Sequence, residues 1–387
     1  MPRVFIMDLL ATVPYYTAYL TRALMGEDIE PILGSVSYYL DPMCFSSRGV
    51  TVRPGCLDLV SRLAFPRSIR KPLKLLETLI NQSVLMLRFL LEPPDALHVQ
   101  FLPMLGWSLP FDLWFVLLCR LRGIRIVLTV HDLLPHDTGY AHKDKFRRLY
   151  HSVDWIICHS DCIRDRLADE FFVKKGRISV IPHGPFFYDV EAKALPSGSR
   201  DNRATGVCVL WQGIIHPYKG VDMLLEAWKA VEDLAGEHNL IVAGTGSPAL
   251  LRRIHEQIHS LKLKHVVLKL EFISARELVQ LYHEADIVVY PYRAITTSGG
   301  LATGLALGKA IIASDLPVFR EVLVDRSNAL FVNPQSPDEL ANRLIELIRN
   351  PELRESLARN VRGMNFGEQS WTLIAKSTVE VYRQVLA

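Results

Sequence analysis

The sequence predicts an α/β protein built from two doubly wound, Rossmann-like parallel-sheet domains. Three observations predict it. Short apolar runs alternate with longer helix-period stretches almost throughout, as expected of parallel strands joined by covering helices. A polar, turn-rich segment at 185–205 divides that alternation into two halves of one type. A chain of 387 residues also exceeds one ordinary core and suffices for two.

In chain order, the first-half strands are read at 4–7 (VFIM), 97–101 (LHVQF), 125–130 (RIVLTV), 154–158 (DWIIC) and 178–181 (ISVI). Those of the second half are read at 207–211 (VCVLW), 240–243 (LIVA), 266–270 (VVLKL), 287–290 (IVVY), 310–313 (AIIA) and 329–332 (ALFV). Helix starts are marked by Ser274 with Glu277, and by Ser336 with Glu339 and Pro337 at the first helical position. Gly363 and Gly367 precede a last helix at 371–386, a break that lets it cross back onto the first domain. The expected domains are 1–190 together with 368–387, a linker at 191–205, and 206–367. No fixed-period repeat is visible.

Composition narrows the class. Hydrophobic residues at 49% and charged residues at 22% are globular values, and a net charge of +3 sets up no global field for nucleic acid. Six scattered cysteines without paired spacing read as reduced thiols in a cytoplasmic protein. Cys158, His159 and Cys162 lack a second ligand pair, so no metal is expected. Residues 1–8 read as a core strand rather than a signal peptide. No apolar run reaches the roughly 18 residues of a spanning helix, so the protein is expected to be soluble or peripheral. Residues 66–92 are helix-like, basic at first and apolar afterwards. Two readings stand for them: a core-packing helix with a solvated end, or a surface meeting anionic lipid through Arg67, Arg70, Lys71 and Lys74.

Three glycine-bearing strand ends carry the chemistry of the second half. After the strand ending at Trp211 comes a compact loop with Gly213, His216, Pro217, Tyr218, Lys219 and Gly220. A lysine held between strand end and helix is a counter-charge for phosphate; the alternative is a surface loop with a solvated lysine. Ser298, Gly299 and Gly300 open a helix of small residues, where free N–H groups and the helix dipole favour an anion; the alternative is close helix–sheet packing. Gly244-Thr-Gly246 lacks a third glycine, so it does not make a dinucleotide fingerprint. In the first half, the strand at 125–130 runs into two His-Asp pairs, His131-Asp132 and His136-Asp137, placed to face a ligand. His183 repeats the strand-to-turn pattern, where a hinge is an equal reading.

Taken together, these motifs resemble the glycosyltransferases of GT-B fold, particularly the large family four. The order reads Tyr218-Lys219-Gly220, Gly244-Thr-Gly246, Pro291-Tyr292, then 308–314 (GKAIIAS). The resemblance is clearest over 207–334 and weaker over 125–184. It implies two Rossmann-like domains facing a cleft, with a nucleotide-sugar donor held mostly by the second. Lys219 and the amides of Ser298, Gly299 and Gly300 would grip the diphosphate, the first domain would bind the acceptor, and His131 would face the donor sugar. The sequence departs from the family at the arginine before Lys-Gly, where Ile214 follows Gly213, and at the paired glutamates, which fall on Ile295 and Thr303. A subgroup of bacterial exopolysaccharide enzymes resembles this pattern better. There Thr303 would meet the ribose, and Glu321 or Arg293 the nucleotide or sugar.

The implied activity is transfer of a hexosyl group from a UDP- or GDP-sugar to a glycan or lipid-linked glycan hydroxyl, in bacterial polysaccharide synthesis at the inner face of the plasma membrane. Catalytic candidates are His131, Asp132, His136, Asp137 and Lys219. Donor candidates are Gly213, His216, Lys219, Gly244, Arg293, Ser298, Gly299, Gly300, Thr303 and Glu321. Acceptor or membrane candidates are Tyr15, Tyr16, Arg67, Arg70, Lys71 and Lys74. No cofactor, metal or nucleic acid is expected, and retention is favoured. The competing readings are an epimerase of the same fold, a nicotinamide oxidoreductase and a catalytically degenerate glycan-binding subunit.

Overall fold

The computed structural model describes residues 1–387 except 53–56, 64, 66, 103, 106–109, 136–138, 191–205, 235–236 and 365. The chain divides into two compact units, one of 1–183 with 371–387 and one of 184–370. The segment expected as linker lies outside the described residues.

The first unit runs β1 (Arg3–Asp8), α1 (Pro14–Leu24), β2 (Glu30–Ser35), α2 (Arg67–Leu91), β3 (Ala96–Val99), α3 (Phe111–Leu121), β4 (Arg125–Val130), α4 (Lys143–Ser152), β5 (Trp155–Cys158), α5 (Asp161–Phe171) and β6 (Ile178–Val180). Among the described residues its sheet has six strands, all parallel, in the order β2-β1-β3-β4-β5-β6. The topological switch point therefore lies between β1 and β3, the flavodoxin-like variant of a doubly wound sheet. Beyond β2 there is one isolated parallel bridge, Leu33 to Val52, where a further strand would lie. β2 escapes the sequence reading because Glu30, Pro31 and Gly34 interrupt its apolar run. Gly34 is required there: a Cβ would come 2.3 Å from the Phe5 ring.

The second unit runs β7 (Cys208–Gln212), α6 (Val221–Glu232), β8 (Asn239–Ala243), α7 (Pro248–Leu261), β9 (Val266–Lys269), α8 (Ala275–Glu284), β10 (Ile287–Tyr290), α9 (Gly299–Ala306), β11 (Ala310–Ser314), α10 (Pro317–Arg320), β12 (Leu330–Val332), α11 (Pro337–Arg349) and α12 (Pro351–Gly363). Its parallel sheet has the order β12-β11-β10-β7-β8-β9, the Rossmann arrangement with its switch point between β7 and β10. The last helix, α13 (Glu368–Leu386), clusters from Trp371 onward with the first unit.

Most strands of both sheets read as continuous buried runs because helices cover both faces, the edge strands β6 and β9 being only partly buried. Helix starts follow the expected chemistry: Ser274 and Ser336 accept from the N–H groups of Glu277 and Glu339.

Two glycines fix the strand-end geometry of the second unit. Gly220, at φ +67°, joins the β7 loop to α6, and a Cβ on it would come 1.9 Å from the Pro291 carbonyl oxygen. Gly244, at φ +142°, lies equally close to the Gly213 carbonyl, 1.9 Å from its would-be Cβ. Gly220→Ala thus combines a clash with backbone strain, and is expected to cost about 1–3 kcal/mol or more, read as a lowered unfolding midpoint in thermal or urea titration. A midpoint equal to wild type would show that the loop relaxes freely.

Candidate functional site

In the second unit the site grows from the ends of β7 and β10. Lys219 lies half-buried in a single turn of 3-10 helix, Pro217–Lys219. Its Nζ sits 5.3 Å from the Tyr292 ring centroid, and 3.0 Å from where a Cβ on Gly213 would stand. Only a bare glycine at 213, φ +144°, leaves the ammonium that space. Across the switch point α9 opens with Ser298 as N-cap, its hydroxyl oxygen accepting from Leu301 N–H at 3.0 Å. The N–H groups of Gly299 and Gly300 belong to the first turn, which has no acceptor within the helix.

This helix start is held from below by buried tyrosines. The Tyr290 hydroxyl donates to the Gly300 carbonyl at 2.9 Å, and the Tyr282 hydroxyl reaches the same oxygen at 3.3 Å. Gly304, one turn on, leaves room for Tyr290, whose hydroxyl would stand 2.2 Å from a Cβ there. Burial pushes the Tyr282, Tyr290 and Tyr292 hydroxyls up, so they stay neutral donors. Tyr292 links the halves of the site: Lys219 lies over its ring, and Gly300's would-be Cβ is 3.6 Å from its hydroxyl.

Several expected donor contacts have other partners. Arg293 forms a two-point ion pair with Asp222 in the first turn of α6, at 2.8 and 2.9 Å. The same guanidinium donates to Pro217 O at 2.6 Å, and the Arg293 backbone N–H donates to Tyr218 O at 2.7 Å. Arg293 is therefore a strut that holds the Lys219 turn, and its pairing with Asp222 raises its pKa. Thr303 is buried; its hydroxyl donates to Gly299 O at 2.8 Å and accepts from Phe186 N–H at 3.1 Å. Its one proton is thus committed to the backbone, which leaves none to donate to a ribose. His216 packs against Tyr218, Glu321 is exposed at the end of α10, and Gly244 supports Gly213 from the next strand.

In the first unit a row of histidines crosses the carboxyl ends of successive strands. His98 lies on β3, His131 follows β4, His159 follows β5 and His183 lies beyond β6. The Tyr16 ring packs against His131, His159, His183 and Trp371, with centroids 4.7–5.4 Å away. His159 Nδ1 is 2.9 Å from Ile181 O, His159 Nε2 is 3.3 Å from His131 Nδ1, and His131 Nε2 is 3.1 Å from one end of the Gln100 amide. The other end of that amide is 3.1 Å from His98 Nε2, which is also 2.7 Å from the Thr129 hydroxyl, and His98 Nδ1 is 2.6 Å from the Tyr382 hydroxyl of α13.

Proton arithmetic orders this chain. His159 must donate through Nδ1 because Ile181 O only accepts, so its Nε2 accepts from His131 Nδ1–H. His131 Nε2 is then a lone pair that needs a donor. Amide nitrogen and oxygen are interchangeable in shape, so the hydrogen-bond pattern assigns them. It turns the Gln100 NH₂ toward His131 and its oxygen toward His98 Nε2–H, a proton shared with the nearer Thr129 hydroxyl oxygen, and Tyr382 then donates to His98 Nδ1. Every ring is neutral in that arrangement. Burial agrees, holding His159 down to about 4, His98 to about 3 and His131 well below its ordinary 6.5.

Both His131 nitrogens are therefore engaged within the chain of hydrogen bonds. Asp132 is exposed, whereas His136 and Asp137 lie outside the described residues. Tyr16 is buried among the histidines, and the half-buried Tyr15 donates to Asp41 at 3.0 Å. Arg70 and Lys74 both lie over the Tyr39 ring, at 5.0 and 4.7 Å; the Arg67 and Lys71 side chains are outside the described residues. Sequence reading missed Gln100, His98, His159 and Tyr382 as one network. The available signal was a histidine or glutamine ending each apolar strand. Asp8, buried at the end of β1, accepts from Thr12 and Val13 N–H and so anchors the entry to α1.

Residues 202–364 match the family of glycosyl transferases group 1, and residues 15–184 match glycosyltransferase family 4. An uncharacterized glycosyltransferase of Methanocaldococcus jannaschii is 24% identical over 65% of this chain and 65% of its own length. An O-antigen chain mannosyltransferase of Salmonella typhimurium is 28% identical over 54% of this chain and 56% of its own. The first three relatives align over 59–68% of their lengths. Among solved structures, Anabaena HepE in complex with UDP and glucose superposes with TM-score 0.75 at 15% identity, covering 98% of this chain and 100% of that one. At that identity the likeness shows the fold.

Two outcomes test the histidine chain. Nitrogen-15 spectra of the imidazoles at neutral pH are expected to show His131 and His159 neutral and protonated on Nδ1; a proton on His131 Nε2 would refute the amide orientation. Below about pH 6.5 an unfolded chain takes up protons on these histidines that the folded chain refuses down to about 4 at His159. This contribution to stability is thus full above pH 6.5 and falls with acidification, by up to about 1.4 kcal/mol per pH unit for each histidine. Asp112, raised to about 6 by burial, works in the opposite direction. The measurement is therefore urea unfolding of wild type against His159→Gln between pH 4 and 8, the variant having the shallower loss toward acid. Equal slopes would remove His159 from the account.

Proposed function

The chain belongs to the GT-B glycosyltransferases of the family-four type, and from that premise we propose that it moves a sugar from a nucleoside-diphosphate sugar to a hydroxyl of a glycan or lipid-linked glycan. The observation that carries the reading is the meeting of Lys219 and the α9 N-terminus on the two sides of Tyr292. An ammonium and a helix N-terminus at one switch point suit a diphosphate. The HepE complex with UDP and glucose supports a uridine donor, and the O-antigen mannosyltransferase supports a polysaccharide acceptor.

In the proposed reaction the bond from the anomeric carbon to the diphosphate breaks, and a bond to the acceptor oxygen forms. Charge develops on the departing phosphate, where Lys219 and the Gly299 and Gly300 amides stabilise it. The acceptor's proton goes to that phosphate if configuration is retained. We favour retention on the family resemblance; inversion would instead need a protein base, for which the exposed Asp132 is a candidate. The acceptor falls to the first unit. A lipid-linked acceptor places the reaction at the inner face of the plasma membrane. No metal or cofactor enters this scheme.

Lys219→Ala is expected to lower transfer by roughly a hundredfold or more and to abolish the rise in melting temperature that a bound UDP- or GDP-sugar gives the wild type. Its melting temperature without ligand should stay near the wild-type value, since the side chain is half-buried at a loop. Near-normal transfer by this variant would sink the reading. A wild type stabilised by the nucleotide sugar but unable to transfer would favour a glycan-binding subunit.

A further inference from the structure

Helices α2 and α3 lie side by side and run in the same direction. At one end the Gln82 amide nitrogen is 3.1 Å from an Asp112 carboxylate oxygen, and at the other the Arg122 guanidinium donates to Leu90 O at 2.9 Å. Their inner faces bury Leu85, Phe89, Phe115, Val116 and Cys119 in the core of the first unit. A surface helix ordinarily turns polar residues outward. Here the outward faces are apolar as well: Leu76, Leu87, Leu91, Trp114, Leu117 and Leu121 are 53–84% exposed. Spacings of four (87, 91) and of three and four (114, 117, 121) keep them on one side of each helix. Single exposed leucines need no explanation, but two adjacent stripes form a patch of the kind that marks an interaction surface.

The charge on these helices has one sign. Their only carboxylates, Glu77 and Asp112, are buried and turned inward. Glu77 accepts from Leu59 and Val60 N–H at 2.6 and 3.0 Å, and Asp112 accepts from Met104 and Leu105 N–H at 2.7 and 3.0 Å. The positive residues Arg70, Lys74, Arg88 and Arg120 remain, with Arg122 just past α3. The first outward carboxylate, Glu92, comes after α2 has ended. A second copy of this face, related by a two-fold axis, would set these cations against themselves. An anionic surface would complement them.

We propose that the outer face of α2 and α3 is a membrane-docking surface that lies in the headgroup layer of an anionic bilayer, with Leu87, Leu91, Trp114 and Leu121 at the acyl boundary. Neither helix crosses: among the described residues none is long and apolar enough to span a membrane. Each stripe lies in the plane of the interface, and Arg88 and Arg120 reach up to phosphate along their aliphatic stems. The surface extends the membrane contact of the proposed function but is independent of the transfer chemistry, since vesicle binding can fail while transfer to a soluble acceptor stands.

The test is co-sedimentation of the full chain with phosphatidylglycerol–phosphatidylcholine vesicles and with pure phosphatidylcholine vesicles. Wild type should pellet with the anionic vesicles, and added salt should release it. The triple variant Leu87→Gln, Leu91→Gln, Leu117→Gln should bind at least roughly tenfold more weakly, and Arg88→Gln with Arg120→Gln roughly fivefold more weakly per charge. All five positions lie outside the proposed active site, so circular dichroism melting near the wild-type value checks the fold and transfer to a soluble acceptor checks activity. Trp114 emission should shift to the blue with anionic vesicles, a response lost in Trp114→Phe. The proposal is overturned if wild type stays in the supernatant, if the triple variant binds equally, or if sedimentation finds a wild-type dimer that the triple variant loses.

Discussion

The second unit is organised by one junction, where the loop after β10 is stitched to the loop after β7. Gly220 lets its backbone come against the Pro291 carbonyl, Arg293 N–H donates to Tyr218 O, and the Arg293 guanidinium grips Pro217 O and the Asp222 carboxylate together. The two loops leave strands adjacent at the switch point and lead to helices on opposite faces of the sheet. Without the stitch, Lys219 would be a long side chain on an unsupported turn, and holding its ammonium in place would oppose its rotamer entropy. With it, the backbone is fixed by bonds largely independent of the lysine side chain. The ion pair is half exposed, so its direct contribution to stability is small; its value here is geometric.

The first unit solves a different problem. Its strand ends carry several buried imidazoles, and a buried ring costs free energy if either nitrogen lacks a partner or if it becomes charged. A directional chain from Tyr382 to the Ile181 carbonyl avoids both costs, with Gln100 serving as the element whose two ends differ in polarity. Remove that amide and the chain would have to end on a mismatched lone pair. This accounts for a last helix that contributes Tyr382 and Trp371 to the same cluster, since α13 supplies both the hydroxyl that begins the chain and a ring that covers Tyr16.

Much of this was legible in the sequence, for physical reasons. Strands buried on both faces appear as unbroken apolar runs, so β1, β3, β4, β5 and all the strands of the second sheet could be placed. β2 could not, because an edge strand with Pro31 and Gly34 has the composition of a turn. Ser298-Gly299-Gly300 and Gly213 were legible because glycine at a strand end has few other uses. Arg293, Thr303 and His131 were read as ligand contacts because sequence shows a polar side chain but not its partner. In each case the partner belongs to the chain itself: Asp222, the Gly299 carbonyl and the Gln100–His159 pair. Asp222 lies 71 residues from Arg293 in the sequence, and no local pattern joins them.

The departure from the family's paired glutamates acquires a physical meaning from these partners. Thr303 is tied to Phe186 N–H and to the Gly299 carbonyl, so this position braces the turn that would cradle a diphosphate. A glutamate there would bring a charge into a site where Thr303 is 1% exposed and its hydroxyl is bonded to the backbone on both sides, at 2.8 and 3.1 Å. In the proposed reaction the greatest demand is the charge of the departing diphosphate, and it falls on Lys219 and the α9 amides, not on the glutamate positions. Loss of the pair therefore weakens the grip on sugar and ribose more than the grip on phosphate. On the proposed function, that division separates two properties one might otherwise link: Lys219 and the α9 amides would serve to expel a diphosphate, while selectivity for the sugar would rest on residues other than the paired glutamates.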